Sequence, residues 1–308
     1  MVPPTPPTSR SLVPAVYHDP PSQPDPDFLR AAEWLQREPS DPDVRVLGVP
    51  FSALSLSGAS CELTPQAVRD ALWRLPTWHA GRGVDLSELD AVDVGDVRLR
   101  GLEPIEALEA VGEACSALRG RPVALIGGDN SITRPAFKGL DASMLVTLDA
   151  HHDLRAGLSN GSPVRMLLDG GLPGDRVWQI GIADQGNARA HSELADQAGI
   201  NVVRVDAVRE HGLRTFVDRA LDAAGDRAVY VDMDLDVVDR ALAPGCPAAL
   251  SGGLMPGDVI DAAFRFGAHP SVVAMDIVEV DPTRDVEQVT VRLAAQVLLA
   301  FLAGVATR

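Results

Sequence analysis

Four polar clusters stand out for the chemistry their residue types allow: GGDNS (127–131), DAHHD (149–153), DLDVVD (234–239) and EVDP (279–282). Asp149, His151 and Asp153 sit at i, i+2 and i+4, and Asp234 with Asp236 repeats that spacing. In an extended segment alternate side chains point the same way, so each set offers its donors to a single side. Taken singly, an Asp at the end of a strand caps a helix or makes a turn. Taken together, so many desolvated carboxylates raise one another's pKa and weaken the fold, unless one or two divalent ions accept their oxygens. Carboxylate oxygens with one imidazole suit Mn²⁺ better than the sulfur-rich surroundings that select Zn²⁺. His152 faces away from His151 in an extended chain and is read as a packing residue.

The elements that must position these clusters are strands that run straight into them. The runs VRVLGV (44–49), PVALIG (122–127), MLVTLD (144–149), VWQIGI (177–182), NVVRV (201–205), AVYVDMD (228–234) and VVAMDIVE (272–279) are near-continuously apolar, as strands covered on both faces are. Between them, residues 103–120, 213–225 and 289–304 carry apolar side chains at helical spacing and stop at glycine. This alternation predicts repeated βαβ units, an α/β fold with a mostly parallel, doubly wound sheet. Ligands bind such sheets at the carboxyl ends of the strands, where the clusters fall. No repeat and no composition break follows residue 43, so residues 44–308 are read as one catalytic domain. Eleven of the 24 prolines fall within residues 1–42. They predict that residues 1–43 form a proline-rich arm with at most one short helix near residues 28–37.

Composition narrows the partners. A formal charge of −16 with no basic run repels a phosphate backbone, which argues against nucleic acid. Cys61, Cys115 and Cys246 are widely spaced and odd in number, so neither a disulfide framework nor a paired metal spacing is expected, and a reducing cytoplasm fits. No stretch approaches the ~20 apolar residues of a membrane span, and the first residues lack the apolar run of a signal peptide.

In order and in content, GGDNS, DAHHD, DLDVVD and EVDP resemble the signatures of the ureohydrolases, the superfamily of arginases, agmatinases and formimidoylglutamases. The resemblance covers nearly the whole chain from Val44. It implies the arginase-like three-layer α/β/α fold, with a sheet of about eight strands, and a centre of two Mn²⁺. Carried over by position, Asp149 and Asp234 bridge the two ions, Asp153 completes one site, and His151 with Asp236 completes the other. Asn130 stands where most of the superfamily has a histidine ligand, and its amide oxygen is a weaker donor, so this site is expected to hold its ion more loosely. Asn160 stands where arginases and agmatinases carry a histidine used in proton transfer.

Both asparagines, with APGCPA (243–248), SGAS (57–60) and DIVEVDPTRD (276–285), are similar to the formimidoylglutamases. That likeness implies a small anionic amidine substrate, N-formimidoyl-L-glutamate, hydrolysed to L-glutamate and formamide, with Asp153 as proton carrier. It also implies a homo-oligomer, a trimer or hexamer. Glu279 is assigned to the substrate's planar N–C–N group, because a carboxylate accepts two parallel N–H bonds. Arg155, on the loop leaving DAHHD, is assigned to a substrate carboxylate, with Arg165 sharing the role. The competing readings are an agmatinase or other guanidino-compound hydrolase, and a non-catalytic metal-binding member.

Overall fold

The computed structural model describes residues 11–18, 25 and 27–308. Its main sheet has nine strands: β1 (Leu12–Val13), β2 (Val44–Gly48), β3 (Ala91–Val97), β4 (Val123–Ile126), β5 (Met144–Leu148), β6 (Val177–Ile182), β7 (Asn201–Arg204), β8 (Val229–Asp234) and β9 (Val272–Val278). They lie in the order β1-β3-β2-β4-β9-β8-β5-β6-β7. Every pair is parallel except β1 with β3. Parallel neighbours need crossovers, and the chain supplies helices for them. These are α1 (Ala31–Leu35), α2 (Thr64–Leu72), α3 (Pro104–Ala117), α4 (Thr133–Gly139), α5 (Pro163–Asp169), α6 (Arg189–Ala198), α7 (Val205–His211), α8 (Leu213–Asp222), α9 (Pro256–Ala268) and α10 (Val289–Val305).

Two apolar clusters, one on each face of the sheet, make the three layers. Val44, Val46, Val231 and Met233 pack against α1, α2, α8, α9 and α10. Leu47, Leu125, Leu145 and Tyr230 turn the other way, toward α3, α4, α5 and α6. Alternate strand residues thus serve opposite cores, which is why the strands read as unbroken apolar runs. Helix α10 is apolar almost all round because it is enclosed: Leu293, Val297, Phe301 and Leu302 are all buried. No helix among the described residues is long and apolar enough to cross a membrane.

Three local features differ from the apolar-run reading. Strand β3 was hidden because Asp93 and Asp96 interrupt it; Arg69 on α2 neutralises both. The helices α4, α5 and α7, at seven residues each, are too brief to announce themselves by period, and α6 buries only Ala195. Within residues 1–43, Ala31, Ala32, Trp34 and Leu35 are buried in the first core, and the Trp34 indole donates to the Leu89 carbonyl at 3.2 Å. Leu12–Val13 adds the antiparallel edge strand that brings the sheet from about eight strands to nine.

Candidate metal centre

The carboxyl ends of β4, β5, β8 and β9 lie side by side at the middle of the sheet, and each delivers one acidic cluster. Asp149 follows β5, Asp234 closes β8, and Glu279 follows β9. At the end of β4, Gly128 passes so close to Phe51 that a Cβ would lie 1.6 Å from its carbonyl oxygen, so only glycine lets the GGDNS turn form. Asp153 and Glu279 take left-handed backbone angles, φ 50° and 64°, which cost a non-glycine residue about 1–2 kcal/mol. Both residues point carboxylates into the same cavity, and such strain concentrates at functional sites.

Ligand-type atoms of Asp149, His151 and Asp236 all lie within 4.8 Å of one another. His151 Nδ1 is 2.9 Å from Asp236 Oδ2 and 3.4 Å from Asp149 Oδ1. Asp234 Oδ1 accepts from the Asp236 backbone N–H at 2.8 Å, and Asp153 Oδ2 accepts from Asn130 Nδ2 at 2.8 Å. Glu279 Oε1 accepts from the Asn130 backbone N–H at 2.7 Å and from Asn160 Nδ2 at 2.9 Å. Asp149 Oδ2 and Glu279 Oε2 are buried with no hydrogen-bond partner among the described residues. Unpaired buried oxygens at the heart of an acidic, one-imidazole donor set fit a hard divalent cation.

The electrostatics point the same way. Burial, reinforced by Asp236, pushes the Asp149 carboxyl up to about 7. Burial and then the charge of Asp129 push Glu279 up to about 8. Asp153 and Asp234 are driven well above the carboxylate range by burial, with Asp149 and Asp236 respectively adding to it. Burial alone would lower His151, but Asp236 and Asp149 outweigh it and hold the imidazolium up to about 12. Burial likewise fails to raise Asp236, which His151 keeps below its ordinary value. The cluster is short of positive charge everywhere except where that one imidazole reaches.

A cavity of about 210 Å³ opens onto His151, Asp153, Asp234, Asp236 and Glu279. Arg155 and Asn160 line it too; Asn160 also accepts from the Leu56 N–H at 3.0 Å, so it ties Glu279 to the loop after β2. Arg155 is exposed, and its guanidinium has no ion-pair or hydrogen-bond partner among the described residues. Arg165 is not brought to the cavity: it lies on α5 and pairs at 3.2 Å with Asp169, one turn away. His152 turns away as expected, with Nδ1 2.6 Å from Gln179 Oε1. Asp129, Asp239 and Asp281, the other acids of the motifs, accept from nearby backbone N–H groups and so cap turns. Sequence reasoning missed Asn187 and His191, which line the cavity from the start of α6. Their one signal was position, just beyond the carboxyl end of β6.

A model of the Arginase family matches residues 42–304. The chain belongs to the arginase family. It is 35% identical over 276 residues to a formimidoylglutamase of Halalkalibacterium halodurans, covering 84% of this chain and 86% of that protein. The crystal structure of formimidoylglutamase from Bacillus subtilis superposes with a TM-score of 0.87 at 30% identity, over 92% of this chain and 94% of that one. A Trypanosoma cruzi formiminoglutamase structure with Mn²⁺ shares the fold, with a TM-score of 0.84 at 24% identity over 92% of this chain and all (100%) of that one.

Proposed function

We propose that this arginase-family chain is a Mn²⁺-dependent hydrolase that cleaves the C–N bond of N-formimidoyl-L-glutamate to give L-glutamate and formamide. The observation that carries the substrate choice is Arg155, an uncommitted guanidinium on the wall of a cavity that also holds Asp153, Asp234, Asp236 and Glu279. A fixed cation there binds a carboxylate bidentately and repels the ammonium of agmatine. The formimidoylglutamase relatives named above support the same reading.

Asp149, His151, Asp153, Asp234 and Asp236, with Asn130 beside them, are the residues proposed to hold two divalent ions. Those ions supply Lewis acidity and bring the pKa of the attacking water from ~16 toward neutrality. Glu279, anchored through one oxygen by Asn130 and Asn160, keeps Oε2 free to accept an N–H of the amidine. Asp153 sits deep in the cavity, where it can take a proton from the water and return it to the departing glutamate amine. Arg165, held by Asp169, is left out of this scheme. The catalytic domain is taken as residues 44–308 together with the buried α1, and the chain is taken to act as a homo-oligomer in the cytoplasm.

The test is a substrate panel of N-formimidoyl-L-glutamate, agmatine and arginine, with formamide, urea and ammonia measured separately. Formamide release from the dianionic substrate should dominate, and Arg155→Leu should lower its kcat/KM by roughly 10²-fold, the scale of losing a charge-assisted contact. Faster turnover of agmatine, or an unchanged reaction in the variant, would overturn the assignment.

A further inference from the structure

A proton count behind the metal centre assigns a role to Thr133, the first residue of α4. Its Oγ1 lies 2.7 Å from Asn130 Oδ1 and 2.7 Å from Asp276 Oδ2. A hydroxyl carries one proton and can donate to only one of those oxygens. Asp276 is fixed as an acceptor from two other sides, by the Tyr230 hydroxyl at 2.7 Å and the Met233 N–H at 3.2 Å. All of these groups are buried. In this arrangement Thr133 must choose, while Asn130 spends its N–H on Asp153.

Turning the Asn130 amide end for end resolves the conflict. One Nδ2 N–H then donates to Thr133 Oγ1, and the Thr133 proton goes to Asp276, so no two acceptors compete for the Thr133 proton. The amide oxygen now occupies the place that Nδ2 held, 2.8 Å from Asp153 Oδ2. Two oxygens that close need a cation beside them, which the proposed centre supplies.

We infer that Thr133 is a positioning residue: its hydroxyl, anchored by Asp276 and Tyr230, holds the Asn130 amide with its oxygen toward the metal and its nitrogen away. Because a hydroxyl both donates and accepts, it serves the amide in either orientation and lets metal entry turn it. Without that hydroxyl the amide N–H stays on Asp153 and competes with the ion for the carboxylate. The inference rests on the metal reading above and is independent of the substrate.

The test is Mn²⁺ titration of the full chain, stripped and reloaded, with free Mn²⁺ followed by electron paramagnetic resonance. Thr133→Val keeps the shape and removes the hydroxyl; it should weaken the more loosely held ion by about 10–100-fold, the usual cost of losing a partner behind a metal ligand. Thr133→Ser should restore wild-type affinity, which a merely packing role for Thr133 would not produce. Val binding both ions like wild type, or Ser no better than Val, overturns the inference while leaving the metal reading intact. A wild-type chain that binds no second ion overturns both. If Thr133→Val does not fold, the crystal structure of the Mn²⁺-loaded wild type decides alone. Asn130 coordinating through oxygen with Nδ2 on Thr133 supports the inference, and an amide N–H still on Asp153 contradicts it.

Discussion

Two of the groups of carboxylates buried at the sheet are built differently. On β3, Asp93 and Asp96 face Arg69, whose Nε and Nη2 reach the two oxygens of Asp93 at 2.7 and 2.9 Å while Nη1 reaches Asp96 at 2.6 Å. Tyr17 adds a hydroxyl to Asp93 at 2.7 Å. That cluster carries its own cation and leaves no carboxylate oxygen orphaned among the described residues. At the ends of β5, β8 and β9, five acids share one imidazole, and Asp149 Oδ2 and Glu279 Oε2 stay unpaired. The count of acids does not mark a functional site. A deficit of positive charge inside a cavity does, because only a component from outside can fill it.

The sharpest way to break the contrast is to remove an acid proposed to bridge the two ions. Asp149→Ala or Asp234→Ala should release both ions and lower kcat by more than about 10³-fold, the scale of dismantling a preorganised electrostatic site. Metal content by plasma emission together with the rate checks this, and two retained ions in either variant would refute the bridging role. Arg69→Leu should do the reverse: a loss of about 3–5 kcal/mol in denaturant unfolding, because a buried pair loses the cation that neutralises it, with metal stoichiometry unchanged. Added Mn²⁺ should rescue no more stability in this variant than it gives the wild type.

A smaller effect separates the clusters by pH. In the chelated chain the carboxyls of Asp149 and Glu279, raised to about 7 and 8, hold protons that the unfolded chain has already released. The folded state therefore binds more protons, and stability falls as pH rises from about 4 through about 8. His151, also raised, adds the same sign above its unfolded value, whereas Asp236, lowered, acts only below this window. Between pH 5 and 8 the melting temperature of the chelated chain should drop by roughly 2–4 °C for each kcal/mol lost. The Mn²⁺-loaded chain should stay level, since the ions replace those protons. A chelated chain insensitive to pH would mean that the carboxylates find partners within the protein.

The acidic rim of the sheet was legible because its signals are local. The i, i+2 spacing of Asp149, His151 and Asp153 became convergence as soon as β5 was identified, and one strand end predicted another. Apolar runs sufficed for seven of the nine strands because those strands are covered on both faces. Strand β3 was not legible: its acids are satisfied by Arg69, 24 residues before Asp93 in sequence, and that pairing exists only after folding. The same holds for Arg165, expected to share Arg155's role toward a substrate carboxylate, which α5 turns toward Asp169 instead. Asn187 and His191 were invisible for want of any motif; the loop after β6 brings the first to the cavity and α6 the second.

The most direct measurement is the metal content of the purified chain taken alongside its rate on N-formimidoyl-L-glutamate, before and after chelation and after return of Mn²⁺. Close to two divalent ions per chain, activity lost with them and restored best by Mn²⁺, is the expected result. Full activity in a chain from which no metal can be recovered would contradict the claim that the carboxylate rim is completed from outside.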